Sequence, residues 1–323
     1  MVIELPKIGV VVLNYNSSEQ TLGCLKALRA ARGGGERCVW VVDNGSEDGS
    51  SATVPPKLQG EEVWLPAGAN LGYAGGNNAG IREALAWGAD YVLVVNPDCH
   101  VDQDFLPVLI RALEGVPNAG MACPLVLDQN GGRIQSLGGS VSLWTGRARR
   151  RLFGRPAAVA DALRWTEVDF PHGACMLLKR SFLEEAGLLN EAYFLYYEDV
   201  ELGLRARREK WATLAIPQSR VRHADTTASG AASAVVSFYG TRNQAWVVAQ
   251  YGGFLQRLSF LLLSCYVRWP AKFLSRLARG RFQAAWAVAR GGWAGQFSRG
   301  WAESGAHLAV PTVGRRVKLE ALP

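Results

Sequence analysis

"YVLVVNPDCH" (91–100) decides how the rest of the chain is read. An unbroken apolar run, Tyr91 to Val95, stops at Asn96-Pro97-Asp98, so a segment suited to a core delivers a carboxylate at its end. Asn, Pro and Asp are ordinary turn residues, and alone the stretch reads more readily as a strand that simply stops. Two earlier segments repeat the event. "CVWVVDNGSEDG" (38–49) breaks at Asp43-Asn44-Gly45, and "IGVVVLNYNSSEQ" (8–20) breaks at Asn14-Tyr15-Asn16. Each run is short and continuous rather than alternating, and each leads into a polar loop and a helical pattern. Strands buried on both faces of a parallel sheet read this way. Ligands of such sheets bind beyond the carboxyl ends of the strands, where Asn14, Asp43 and Asp98 all fall. The expectation is an α/β protein whose mostly parallel central sheet is flanked by helices and carries a site at three converging strand ends.

Bulk properties agree with a folded enzyme-sized chain. Its 323 residues, 49% hydrophobic and 20% charged, suffice for one large domain plus an appendage. Six cysteines are scattered without a CxxC pair, which predicts reduced, buried thiols in a cytosolic protein. No signal peptide or early transmembrane segment is evident, so the chain is expected to stay on the side of the membrane where it is made.

The net charge of +7 is concentrated in two places. One is "GRARRRLFGR" (146–155), within a stretch, 121–170, expected to hold a mobile loop; the other is the tail beyond Tyr251, rich in arginine and almost free of acid. Because the tail's arginines alternate with Trp, Phe and Leu, it points away from nucleic acid and towards a helix lying at a membrane surface. Its longest uncharged stretch, Leu258 to Val267, is about half of the ~20 residues a membrane span requires. A small helical bundle packed on the main domain explains the same pattern, and both readings stay open. Residues 1–243 are expected to form a catalytic domain and 244–323 a C-terminal helical region.

Three further stretches carry chemistry. "NLGYAGGNNAG" (70–80) sets Gly72, Gly75 and Gly76 just before a helix expected over Asn77–Trp87, where backbone N–H groups favour anions. It matches neither a P-loop nor a dinucleotide fingerprint, which removes the main support for ATPase and dehydrogenase readings. "YFLYYEDVELGLRARR" (193–208) crowds Glu198, Asp199 and Glu201 beside aromatics. Acids in a first helical turn often only complement the dipole, but apolar neighbours raise a carboxylate's proton affinity, as a general base needs. His223, in "RVRHADTTASG" (220–230), together with Asp98 would complete a divalent metal site with a diphosphate supplying further oxygens.

The ordered series "VVVLNYNS", "VVDNGSEDGS", "NLGYAGGNNAG", "VVNPD", "GACMLLKR", "LYYEDVELGLR", "RHADTTASG" and "FYGTRN" resembles the inverting glycosyltransferases of the GT-A fold, glycosyltransferase family 2, and within them the rhamnosyltransferase-like branch. The likeness covers about residues 8–243 and implies a nucleotide-diphosphate sugar donor, dTDP-L-rhamnose first, and a glycan or lipid-linked acceptor. It places Asn96-Pro97-Asp98 at the family's DxD motif, with Asp98 and His223 on Mg²⁺ or Mn²⁺. Asn96 stands where the pattern has its first Asp, which removes one charge from the metal site. The resemblance further implies donor binding by Asn14, Asn16, Asp43, Asn44, Ser46, Gly72, Gly75, Asn77, Asn96 and Arg242, with Asp199 as base and Glu198 beside it. Glu201 stands where many members have Asp. A UDP-sugar donor (galactofuranose, GlcNAc or glucose) and a non-catalytic nucleotide-sugar-binding protein are the alternatives. A sugar-phosphate nucleotidyltransferase is disfavoured because "LNYNSSEQ" lacks that class's glycine-rich loop. The implied setting is cell-surface polysaccharide synthesis at the inner face of the membrane.

Overall fold

The computed structural model describes residues 5–224 and 234–297. Its first part alternates as the apolar runs predict: β1 (Lys7–Asn14), α1 (Ser18–Ala30), β2 (Glu36–Asp43), a short α2 (Ser50–Thr53), β3 (Glu62–Pro66), α3 (Gly72–Trp87) and β4 (Tyr91–Val95). Then come β5 (Cys99–Val101), α4 (Phe105–Gly115), β6 (Ala119–Leu127), β7 (Ile134–Ser136), β8 (Gly139–Ser142), β9 (Arg147–Arg150) and β10 (Thr166–Glu167). β11 (Cys175–Lys179), α5 (Arg180–Ala186), α6 (Glu198–Arg208) and β12 (Ala212–His223) complete the sheet layer.

The central sheet runs β10-β12-β6-β11-β4-β1-β2-β3, with β4, β1, β2 and β3 all parallel. β11 is antiparallel to both β4 and β6, whereas β12 runs parallel to β6. Helices cover both faces. Leu25 and Leu28 of α1 and Phe105, Leu109 and Leu113 of α4 fill one side. Ile81 and Leu85 of α3, Phe182 of α5 and Leu202 of α6 fill the other. Two covered faces explain why the strands are continuous apolar runs rather than alternating ones.

Register brings distant residues together at one edge of this sheet. Asn14 pairs with Asp43 across β1 and β2. Cys175 pairs with Val95, so the chain just before β11 passes beside Asn96, whose N–H donates to the Ala174 carbonyl at 2.8 Å. His223 pairs with Cys99 across β12 and β5, which sets it next to Asp98.

One local expectation needs correction. α3 begins at Gly72 rather than Asn77, so Gly75 and Gly76 lie inside the helix. Glycine's poor helix propensity disguises this, and packing explains it. A Cβ on Gly76 would stand 2.4 Å from Leu13 Cδ1, and one on Gly80 2.5 Å from Val11 Cγ1, so the small residues let α3 lie close against β1. Gly72 has φ +72° and passes beside the Phe194 carbonyl, an approach open to glycine alone. In the basic cluster at 146–155, Arg147 to Arg150 form strand β9, paired with β8 in a separate hairpin.

Beyond the sheet, the helix Ala234–Tyr251 runs through position 243 and packs Trp246 and Val247 against Phe170, Tyr193 and Val200. Helices Phe254–Leu263, Trp269–Leu277 and Phe282–Phe297 follow. Ala284, Ala285, Ala287 and Val288 are buried, while Phe254, Leu262, Tyr266, Leu274, Phe282, Trp286 and Trp293 are exposed. Among the described residues, no helix is long and apolar enough to cross a membrane.

Candidate active site

The β1–β2 end is a closed hydrogen-bond cluster. Asn14 Nδ2 donates to Asp43 Oδ1 at 3.1 Å and Ser46 Oγ at 3.0 Å, while its Oδ1 accepts from Thr21 Oγ1 at 2.8 Å. Asn16, at φ +50°, donates its N–H to Ser46 Oγ and accepts from the Glu47 N–H at 2.7 Å. Asn44 donates to Asn70 Oδ1 and the Gly72 carbonyl and accepts from the Leu71 N–H, tying the start of α3 to β2. Asn77 donates to the Tyr73 carbonyl at 2.9 Å, and its buried Oδ1 has no partner. Thus Asn14, Asn16, Asp43, Asn44 and Ser46 form one group, and Gly72 is bound to it through Asn44.

Asp98 and His223 meet at the ends of β4 and β12, with Asp98 Oδ1 3.1 Å from His223 Nε2. Their state is set by Gln135, which follows the start of β7. Gln135 Nε2 donates to the His223 carbonyl at 2.8 Å, so Oε1 is the atom that faces His223 Nδ1 at 2.9 Å. Nδ1 therefore carries the proton, and in the neutral ring Nε2 presents a lone pair towards the Asp98 carboxylate. Such a pair can share a divalent cation. Cys99 lies in the same cluster, but its thiol donates to the Ala174 carbonyl at 3.3 Å, and burial pushes it well above the usual thiol range. The donor set that fits a divalent ion is the carboxylate and the imidazole, with room for oxygens from a ligand. Asp225 to Gly230 of the histidine motif lie outside the described residues.

The acid wall is built differently. Phe194, Tyr196 and Tyr197 all have positive φ, between 60° and 70°, immediately before α6. Non-glycine residues hold such angles only where the surroundings impose them. Here Asn243 does so: its Nδ2 faces the carbonyls of Tyr193, Leu195 and Tyr196 at 2.8, 2.9 and 2.6 Å. Arg242 braces the same turn, donating to the carbonyls of Ala192 and Tyr193, with its guanidinium 4.0 Å from the Trp246 ring. The turn delivers Asp199, whose oxygens accept from the N–H groups of Gly173 at 3.1 Å and Val200 at 2.8 Å. Burial raises Asp199's pKa despite these donors, and it raises that of Glu198 as well, with the Asp199 charge adding to the effect. Glu198 Oε2 is buried without a partner, so Glu198 holds its proton more readily, while two N–H donors favour the ionised form of Asp199. Glu201 turns away to pair with Arg205 at 2.8 Å and to accept from Tyr251 Oη at 2.6 Å, a bracing role.

One cavity of about 470 Å³ joins the acid wall to Asn96 and His223. Asn96, His223, Glu198, Asp199 and Gly173 line it, with Tyr73, His172, Tyr196 and Tyr197 as aromatic walls and Ala148 and Arg150 from β9 along one side. Apolar rings beside carboxylates suit a sugar, with its polar hydroxyls and apolar face. Gln135, Asn243, Tyr73 and Arg150 escape sequence reasoning because each acts through a tertiary contact. Tyr73, Arg150 and Asn243 lie inside stretches the sequence singles out, "NLGYAGGNNAG", "GRARRRLFGR" and "FYGTRN"; Gln135 lies in none.

The fold agrees with what known proteins show. A family model described as "Glycosyltransferase like family 2" matches residues 6–249. The chain belongs to glycosyltransferase family 2. Among curated family members, the "Low-salt glycan biosynthesis hexosyltransferase Agl10" of Haloferax volcanii is 31% identical over 207 residues, 64% of this chain and 63% of that protein. That match thus spans under two thirds of the Haloferax protein. The "N-acetylglucosaminyl-diphospho-decaprenol L-rhamnosyltransferase" of Mycobacterium tuberculosis is 30% identical over 240 residues, 68% of this chain and 77% of that protein. Among solved structures, the mannosyltransferase PcManGT of Pyrobaculum calidifontis, in complex with GDP-Man and Mn²⁺, aligns with TM-score 0.55 and 16% identity over 95% of this chain and 86% of its own. S. aureus TarS aligns with TM-score 0.52 and 17% identity, over 88% and 83%. The fold is therefore GT-A, and the matched residues are a glycosyltransferase family 2 domain.

Proposed function

We propose that the enzyme transfers L-rhamnose from dTDP-L-rhamnose, with inversion, to a hydroxyl of a lipid-linked glycan. The observation that carries the reading is the single cavity in which Asp199, a desolvated carboxylate held by two N–H groups, faces the end of β4 and His223. The Mycobacterium relative's name supplies the rhamnosyl group and the lipid-linked acceptor; the Haloferax relative's supports a hexose more generally.

In this reading the cluster of Asn14, Asn16, Asp43, Asn44 and Ser46 receives the nucleoside, and Asn77 offers its unpartnered oxygen nearby. Asp98 and His223 would hold Mg²⁺ or Mn²⁺, which neutralises the diphosphate leaving group. Asp199 takes the proton of the acceptor hydroxyl while that oxygen attacks the anomeric carbon and the bond to the diphosphate oxygen breaks. Attack opposite to the leaving group inverts the configuration. Glu198, protonated and buried, keeps a second negative charge away from the attacking oxygen. The exposed apolar side chains of the C-terminal helices support peripheral attachment at the inner face of the membrane, beside such an acceptor.

Thermal shift against a panel of nucleotide sugars, with and without Mn²⁺, tests the donor, because a ligand of the folded state raises apparent stability. The largest Mn²⁺-dependent rise is expected with dTDP-L-rhamnose. A larger rise with a UDP-sugar would reassign the donor, and the absence of transfer to any acceptor would leave a binding protein.

A further inference from the structure

A second cavity of about 440 Å³ adjoins the first, with Ala148, Tyr197 and Gly240 in both linings. Its other walls are Arg147, Gln244, Val267, Arg268, Ala271 and Lys272, three cations and no carboxylate. Neither the Arg147 guanidinium nor Lys272 Nζ makes a hydrogen bond or ion pair with a described residue. Lys272 is pushed down to about 8 by burial and then by the charges of Arg268, Arg276 and Arg147, as expected of cations gathered with no carboxylate in the described lining.

The pocket is built rather than accidental. Gly146, at φ +65°, sits where a Cβ would be 2.7 Å from Phe260 and 2.8 Å from Gln244, so the β8–β9 hairpin tip is docked on the C-terminal helices. Tyr197 Oη donates to the Gly146 carbonyl at 3.0 Å, Arg268 to the Thr145 carbonyl, and Ser259 to the Trp144 carbonyl at 3.3 Å. Tyr197 lies two positions before the base, so the hairpin, the cation pocket and the catalytic turn are one connected piece.

We propose that this pocket binds the diphosphate of a lipid-linked acceptor and so presents the attached sugar to Asp199 in the neighbouring cavity. The inference rests on the glycosyl-transfer reading above and adds the site that grips the acceptor's lipid end. A diphosphate needs several donors of positive charge in a partly dry site, which Arg147, Arg268 and Lys272 supply. The donor's diphosphate is a poor candidate, because Asn96 and His223, at the site that would hold its metal, line the first cavity and not this pocket. The lipid follows from the surroundings: Val267, which lines the pocket, is 56% exposed, and Leu262, Tyr266 and Leu274 on the same run of helices are exposed too.

The test uses the full chain with its donor site saturated by dTDP and Mn²⁺. Binding of farnesyl diphosphate, inorganic pyrophosphate and farnesol is measured for the wild type, Lys272→Gln, Arg147→Gln and the double variant. Farnesyl diphosphate is expected to bind more tightly than either pyrophosphate or farnesol, and each substitution to weaken it about tenfold. Weak farnesol binding should not move. Equal affinity for pyrophosphate and farnesyl diphosphate would overturn the lipid assignment, and indifference of farnesyl diphosphate to both substitutions would overturn the site. A kinetic arm compares a polyprenyl-diphosphate-linked sugar with an alkyl glycoside of the same sugar: the variants should raise KM for the first alone and hold kcat. An equal rise for both acceptors would mean a structural defect and overturn the proposal. If the wild type transfers to neither acceptor, the glycosyl-transfer reading fails, while the binding arm still decides the pocket.

Discussion

The two walls of the candidate site are made in opposite ways. On the β1–β2 side, nearly every polar group has a partner close in space and set by strand register: Asn14 with Asp43, Ser46 and Thr21, and Asn44 with Asn70 and Leu71. On the α6 side, three residues of the turn, Phe194, Tyr196 and Tyr197, hold positive φ, a Glu198 oxygen is buried alone, and the turn is kept in place by Asn243, far along the chain. A site that must recognise a ligand benefits from satisfied, preorganised donors and acceptors. A site that must move a proton benefits from desolvation, which costs stability and needs bracing from elsewhere. The lesson is that satisfaction and strain divide along the line between holding and reacting.

The sharpest break of this comparison is Asp199→Asn, expected to lower kcat by about two to four orders of magnitude while donor affinity barely changes. Near wild-type turnover would show that the strained wall does no chemistry. Because burial raises Asp199, the base is lost on acidification at a higher pH than an ordinary aspartate would allow. The acid limb of the kcat profile should therefore lie above the usual aspartate range and vanish in the variant.

Next in size is the junction between the walls. Asp98→Ala should weaken Mn²⁺-dependent donor binding and turnover together, whereas Gln135→Leu, which frees His223 to change tautomer, should lower Mn²⁺ affinity by roughly ten- to a hundredfold. Mn²⁺ titrations followed by donor binding separate the two, and a wild type indifferent to EDTA would remove the metal from both arguments.

Asn243→Ala tests the bracing. It leaves the carbonyls of Tyr193, Leu195 and Tyr196 short of a donor, at a cost of about 1–3 kcal/mol. Denaturant melts should show that loss, and kcat should fall with little change in donor KM; a pure stability effect with kcat intact would mean the turn shapes nothing catalytic.

The smallest expected effect belongs to Glu198→Gln. A carboxyl whose folded pKa is raised gives up stability as pH rises from its unfolded value to its folded one, because the folded state binds the proton more tightly. The variant should therefore melt higher than the wild type above the ordinary glutamate range and equal to it below. A crossing in the other direction would mean that ionised Glu198 stabilises the fold.

Much of this was legible because it is written in periodicity and strand ends. Continuous apolar runs at 8–13, 38–42 and 91–95 specify buried parallel strands, and the polar residues that break them must surface at one edge of the sheet. Asn14, Asp43 and Asp98 are in that sense fixed by local sequence, as is the acid cluster at Glu198-Asp199. The sequence left undecided everything that depends on antiparallel insertion and long-range register. β11 carries Gly173 to Asp199, β12 carries His223 to Asp98, and β7 carries Gln135 to His223; no local pattern encodes these meetings. The glycines of 70–80 read as a loop because propensity is local, and became a helix because burial against β1 outweighs it. The basic stretch at 146–155 showed its charge in the sequence, but only the docked hairpin decided that Arg147 would share a cavity with Arg268 and Lys272.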